Sequence, residues 1–315
     1  MSTIKDVAKK AGVAISTVSY AFNNDGRITK ATKDKILRVA AELNYAPNAS
    51  ARNLKRKRTN NIGVFIYAFE GPTFPNILHG INVKLQEYGY NIIVSSGTLS
   101  NAMLANRLVD AAIVFDNHIS DETIINYSAY GPVVVLDRKL AYKNVTMCQI
   151  DNYSAVYSFI LSMMEKGYDD FGYLSGPLDS FNNIERHQAF LKALSTKELS
   201  SVYYQSDFTI KGGYTTGLRF LKQTHPKFIF CSNDELAIGL YQACDELGII
   251  VGKDIFIAGF DNINLCKYIK PGLTTIDVEY STWGSSVAEY LIKRLNGEVP
   301  CPPKCNTRVI LRESC

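Results

Sequence analysis

The sequence predicts a small all-α head followed by an α/β body of two lobes. Three observations carry this. Residues 1–60 hold 13 lysines and arginines against 4 aspartates and glutamates, a net of +9, whereas the rest of the chain nets −5. Apolar residues in the first 46 positions recur at helical spacing, and from residue 61 short apolar runs alternate with amphipathic stretches. A chain of 315 residues with 46% hydrophobic content is long enough to bury two or three cores.

In the head, Thr3 is placed to cap a first helix, with Asp6 three residues on. Ile4, Val7, Ala8 and Ala11 then form one apolar stripe, and Gly12 ends it. A second helix runs from about Ile15 to Asn23, within "GVAISTVSYAFN". Val18 and Phe22 take its buried face, while Ser16, Thr17, Ser19 and Tyr20 turn hydroxyls and a ring outward. Residues 23–26 supply a turn. Thr29 caps a third helix whose stripe is Ile36, Val39, Ala40 and Leu43, and Pro47 ends the connection that follows. Two helices around a tight glycine turn, closed by a third, make a helix-turn-helix, whose second helix lies in the major groove of DNA. Its outward hydroxyls suit phosphate oxygens and base edges, and the basic head suits a polyanion. The bland alternative is a solvated helix.

After Pro47 comes the basic stretch "NASARNLKRKR". Read alone it is a flexible linker with a stray leucine. From residue 62 the runs 62–67, 91–96, 111–115, 133–137, 171–175, 228–232 and 255–260 read as buried parallel strands separated by helices. Such sheets bind ligands beyond the carboxyl ends of their strands. A second α/β unit starting after about Asp151 leaves a cleft between lobes. The seven cysteines are odd in number and sit mostly in apolar runs, as in a reducing compartment. Cys301 and Cys305 have no second Cys or His pair nearby, so they read as ordinary thiols; no metal and no cofactor is expected.

Residues 3–54, "TIKDVAKKAGVAISTVSYAFNNDGRITKATKDKILRVAAELNYAPNASARNL", resemble the DNA-binding head of the lactose repressor and galactose repressor (LacI/GalR) family almost position by position. Residues 62–312 resemble that family's effector domain, akin to periplasmic sugar-binding proteins. The resemblance implies that Ile15, Ser16 and Tyr20 read bases and that Thr17 and Ser19 hold phosphates, with Asn23 and Arg27 on the same DNA-binding surface. Tyr20 departs from members that carry an arginine there, and Ile15 suits a thymine methyl. It further implies that the linker becomes helical on the operator, pairs with its dimer mate and pushes Leu54 into the minor groove, with Arg52 and Lys55 on the flanking phosphates.

In the body, the resemblance places Asp137, Arg186, Phe208, Asn233 and Asp261 at ligand contacts, with Tyr67 and Phe74 from the first lobe. Their chemistry suits a polyol: carboxylates and amides accept from hydroxyls, a guanidinium donates, and a ring packs on a pyranose face. Each also has a duller explanation. Asn233 and Asp234 could merely cap a helix, and Arg186 could be an exposed helical charge. In this fold the chain crosses between lobes three times, so Thr282–Asn296 is expected to return as a helix to the first lobe. Two departures stand out. "GTLSNAMLANRL" is shorter than the family's usual segment, and "RVILRESC" carries no heptad tail, which argues for a dimer rather than a tail-mediated tetramer.

The expected organisation is a helix-turn-helix domain at 1–46, a hinge at 47–60, and a ligand-binding and dimerisation domain at 61–315. The expected function is a cytoplasmic, homodimeric repressor of a carbohydrate operon that binds double-stranded operator DNA and answers to a sugar or sugar phosphate. Purine or protein co-repression is the alternative. The first residues show no apolar h-region and no stretch of about 18 uncharged apolar residues reads as a membrane span, so neither a leader nor a span is expected. A transport-type sugar-binding protein would have no use for the basic head. An α/β enzyme would need a motif such as a P-loop, a G-x-S-x-G elbow or a metal-spaced histidine cluster, and none appears. Asp234 and Glu235, adjacent at a helix start, point in different directions and read as caps rather than a catalytic pair.

Overall fold

The computed structural model describes residues 2–23, 26–46, 58–97, 100–223 and 226–315, in two compact units divided between Thr59 and Asn60. The first unit holds α1 (Ile4–Ala11), α2 (Ile15–Phe22) and α3 (Lys30–Glu42). Asp6 accepts from the Thr3 amide and hydroxyl, both at 2.8 Å, and these bonds hold its carboxyl below the usual range. Gly12 closes α1 at φ 64°, a conformation that glycine adopts without strain. Val7, Ala11, Val18, Ala21 and Ile36 are sealed in the centre, and burying Val18 or Ile36 stabilises by about 1.5–3 kcal/mol each. Phe22 is only partly buried, edge-on to Tyr45 at 5.8 Å, because Ala21 rather than Phe22 points inward beside Val18.

The second unit is built on two sheets. The first has the order β2 (Asn91–Ser96), β1 (Asn61–Ile66), β3 (Ala111–Phe115), β4 (Val133–Val135), β5 (Val145–Met147), all parallel. The second sheet has the order β11 (Thr307–Ile310), β10 (Thr274–Val278), β9 (Phe256–Asp261), β8 (Phe228–Cys231), β6 (Phe171–Ser175), β7 (Ser201–Gln205). Only the β10–β11 pairing there is antiparallel. The seven expected strands are all present, the fourth stopping at Val135 rather than Asp137. Sequence reading missed β5, β7, β10 and β11, which are short, half-exposed or interrupted by polar residues and so lack a continuous apolar run.

Helices α4 (Phe74–Glu87), α5 (Ser100–Ala105) and α6 (Asp121–Ser128) belong to the first lobe; α7 (Asn152–Glu165), α8 (Phe181–Ser195), α9 (Ile210–Leu221) and α10 (Asp234–Glu246) belong to the second. The expected returning helix is α11 (Tyr280–Leu295), packed against α4. The two come close because both present glycine: a Cβ on Gly80 would meet the Ser281 carbonyl, and one on Gly284 the Ile77 carbonyl. Ser285 Oγ adds a 2.9 Å bond to the Gly80 carbonyl. The chain therefore passes between lobes near Ile150, after Val278 and before Thr307, with an Ile150–Cys305 bridge pairing two of these passages.

Candidate functional site

On the head, α2 presents the residues expected to meet DNA. Ile15 is 45% exposed despite its apolar side chain, and Ser16 is exposed beside it. Thr17, Ser19 and Tyr20 are half-buried, while Asn23 and Arg27 are exposed. Two local contacts organise this face. Asn23 Nδ2 donates to the Ser19 carbonyl at 2.8 Å, and Arg27 Nη1 donates to the Tyr20 hydroxyl at 3.1 Å with its guanidinium 4.0 Å from the ring centroid. Tyr20 is thus braced by a cation that sequence spacing alone did not pair with it. Arg52, Leu54 and Lys55 lie outside the described residues.

In the body, a cavity of about 520 Å³ opens between the two lobes. All seven of the expected ligand residues line it: Tyr67, Phe74, Asp137, Arg186, Phe208, Asn233 and Asp261. Three helices of the second lobe begin at its edge because each follows the carboxyl end of a parallel strand. Ser180 caps α8, Thr209 caps α9 and Asn233 caps α10 through its Oδ1, which accepts from the Leu236 amide at 2.9 Å. The capping explanation for Asn233 therefore holds, and its Nδ2 also donates to the Phe208 carbonyl at 3.0 Å. Phe208 sits at φ 69°, and its ring fills the space that a side chain on Gly176 would need.

Arg186 is not an exposed helical charge; it is only 3% exposed. Nε donates to Asn152 Oδ1 at 2.8 Å, Nη1 to the Ser232 carbonyl at 2.6 Å, and Nη2 lies 3.8 Å from Asp261 Oδ1. Its guanidinium also covers the Phe260 ring at 3.6 Å. Asp261 accepts from the Tyr280 hydroxyl at 2.7 Å, and burial holds its carboxyl above the usual range against the pull of Arg186. Asp261 and Asn262 both have positive φ, 110° and 52°, an arrangement that costs on the order of 1–3 kcal/mol per residue. Arg312 Nη2 secures this corner by donating to Asn262 Oδ1 at 2.7 Å.

The first lobe supplies Asp137, whose carboxylate accepts from Arg138 Nε at 3.1 Å and is held above the usual range by burial. Tyr67 stacks on His118 at 4.9 Å, and Phe74 meets Phe115 edge-on at 5.3 Å. Sequence reasoning missed His118 and Tyr280, which carry no local signal, and passed over Glu235. Asp234 and Glu235 do diverge as expected. Asp234 turns inward to accept from Thr275, the Ile263 amide and Cys266, whereas Glu235 faces the cavity. Burial raises both carboxyls to about 7, reinforced by the neighbouring charge of Asp261.

Comparison with known proteins places this geometry in context. Residues 3–48 match the model of bacterial regulatory proteins of the lacI family, and residues 161–315 that of the periplasmic binding protein-like domain. The chain is 33% identical over 309 residues to the HTH-type transcriptional repressor PurR of Serratia proteamaculans, covering 94% of this chain and 91% of that one. A sugar-binding LacI-family regulator from Enterococcus faecalis superposes with a TM-score of 0.76 at 32% identity, over 82% of this chain and 98% of the other. The lac repressor dimer bound to operator and an anti-inducer shares the fold over 99% of this chain and 98% of that one, with a TM-score of 0.85 at 23% identity. With a helix-turn-helix head, two parallel-sheet lobes and a residue-lined cleft between them, the chain belongs to the LacI family, as a DNA-binding transcriptional repressor.

Proposed function

We propose that this repressor acts as a dimer on an operator and is governed by a sugar held between its two lobes. In this reading Ile15, Ser16 and Tyr20 face base edges, Thr17 and Ser19 hold phosphates with Asn23 and Arg27 on the same DNA-binding surface, and Leu54 enters the minor groove with Arg52 and Lys55 on the flanking phosphates. No helix among the described residues is long and apolar enough to cross a membrane.

The observation that carries the sugar reading is the balance of acceptors and donors in the cleft. Asp137, Asp207, Glu235 and Asp261 all line it as acceptors, whereas Arg186 is its one guanidinium among the described residues and gives two of its donors to Asn152 and the Ser232 carbonyl. Every hydroxyl of a sugar brings a donor to such a wall. A purine base brings only a few. The aromatic pairs Tyr67–His118 and Phe74–Phe115 on one side and Phe208 on the other offer flat faces to a pyranose or furanose ring. The kinship with repressors named PurR favours a second reading, a purine base between the same aromatic faces.

Arg186 also gives the cleft a route to the lobe crossing. Asn152, which accepts its Nε, is fully buried at the start of α7 and donates to the Ile150 carbonyl and to Asn182 Oδ1. A ligand that draws on Arg186 and Asp261 therefore pulls on the strand passage between lobes, and it shifts operator affinity by its differential affinity for the two lobe arrangements. Thermal denaturation of the full chain with neutral sugars and with nucleobases tests this, since a ligand of the folded state raises Tm. A rise with a sugar, accompanied by changed operator retention in a gel, supports the reading; a rise confined to nucleobases rejects it in favour of the second.

A further inference from the structure

We propose that Glu235 makes the cleft a charge filter, admitting uncharged effectors and rejecting their phosphate esters. The inference rests on the reading of the cleft as the effector site and narrows the class of molecule it accepts.

Three helix N-termini face this cavity, those of α8, α9 and α10, and a bare helix N-terminus is a ready anion site. Here each comes with its own carboxylate. Asp179 precedes the Ser180 cap, Asp207 precedes Thr209 and accepts from its amide and hydroxyl, and Glu235 follows Asn233. With Glu70, Asp137 and Asp261, six carboxylates line the cleft. Among the described lining residues one guanidinium stands against them, with Arg138 pairing Asp137 from outside the lining. Arg186 donates to Asn152 and Ser232 and its charge is paired with Asp261, so it brings no unmatched positive charge to a phosphate.

Glu235 is the member placed to discriminate. Glu70, Asp179 and Asp207 are exposed, where water and salt screen them; Asp137 is tied to Arg138, and Asp261 to Tyr280 and Arg186. The Glu235 carboxylate is partly buried, faces the cavity and makes no hydrogen bond or ion pair among the described residues. It is free to accept from a neutral hydroxyl and repels a second anion at short range in a poorly screened site.

The test pairs each neutral compound with its phosphate ester: ribose with ribose 5-phosphate, glucose with glucose 6-phosphate, galactose with galactose 1-phosphate, and guanosine with its 5′-monophosphate. Titration calorimetry and Tm shifts are run on the full-length chain at pH 8, where a carboxyl pushed up to about 7 is ionised. In the wild type a neutral member should bind at least about tenfold tighter than its ester. In Glu235→Gln, which keeps an acceptor and loses the charge, the gap should shrink to about threefold or less, while Glu235→Asp should keep it. An ester binding the wild type as well as its parent overturns the filter and leaves the effector cleft standing. An undiminished gap in Glu235→Gln overturns the assignment to Glu235. A gap seen only in the guanosine pair supports the filter and rejects the sugar. Binding by none of the compounds overturns the cleft reading and the filter with it.

Discussion

Arg186→Met is the most informative single change, because it removes a charge on which both the fold and the site depend. The methionine retains much of the apolar contact over Phe260 but deletes the bonds to Asn152 and the Ser232 carbonyl and strips Asp261 of its cation. Breaking a buried charge pair by removing one partner costs about 3–5 kcal/mol, and for a unit of this size each kcal/mol lowers Tm by about 2–4 °C. Asp261 limits the loss by taking up a proton, which its raised carboxyl does readily, so a fall of about 6–12 °C is expected. Asp261→Asn should cost less, since the amide still accepts from Tyr280. The double variant should then be more stable than the sum of the single losses, with a coupling on the order of 1–3 kcal/mol. Differential scanning fluorimetry measures all four proteins, and a gel shift with and without effector reads the response. The reasoning predicts operator binding retained and effector response lost in every variant that lacks Arg186. Strict additivity in the cycle, or a wild-type response to effector in Arg186→Met, would refute it.

Operator affinity should fall steeply with salt, as several phosphates per head are neutralised, and an affinity insensitive to salt between 50 and 200 mM contradicts the DNA reading. Tyr20→Ala should blunt discrimination between operator variants by about 1–3 kcal/mol while sparing non-specific binding, and equal losses on both would reassign Tyr20 to the backbone. Leu54→Ala should lower operator affinity and DNA bending together; unchanged bending in a circular-permutation gel would reject the wedge. Stability should fall as pH rises. Glu235 has a folded carboxyl raised to about 7 from 4.5, so its contribution is fully present below pH 4.5 and is lost as pH climbs through 7. Glu235→Gln should flatten that slope and gain on the order of 1–2 kcal/mol at pH 8, allowing for partial solvation; an unchanged slope between pH 5 and 8 would show that Glu235 does not titrate in this range.

The head was legible because its signals are local. A capping box at Thr3 and Asp6, a left-handed glycine at position 12 and an apolar stripe in each helix depend on neighbours within one or two turns. Even there the Tyr20–Arg27 contact escaped notice, since it crosses a turn that no periodicity describes. In the body the long buried strands declared themselves, whereas β10 did not, because Thr274, Thr275 and Asp277 interrupt it with polar groups that are buried only through tertiary partners. The Thr274 hydroxyl accepts from the Arg312 amide and donates to its carbonyl, Thr275 donates to Asp234, and Asp277 accepts from Arg308.

The start of α10 explains why Glu235 was harder to read than Asn233. Three consecutive polar residues at the end of a parallel strand carry a sufficient local explanation, that of capping a helix, and Asn233 fulfils it. That account leaves no reason to look further at the two acids behind it. Successive residues on a helix lie about 100° apart, so only one of Asp234 and Glu235 can point into the sheet. Asp234 does so, because Gly259 on β9 leaves room for it and Thr275, Ile263 and Cys266 supply donors. Glu235 is thereby turned toward the cavity, beside Asp261 and without a donor of its own. The same geometry that completes the helix start therefore sets a carboxylate at the mouth of an anion-binding N-terminus, and the chemical character of the cleft follows from which way one residue of the pair had to face.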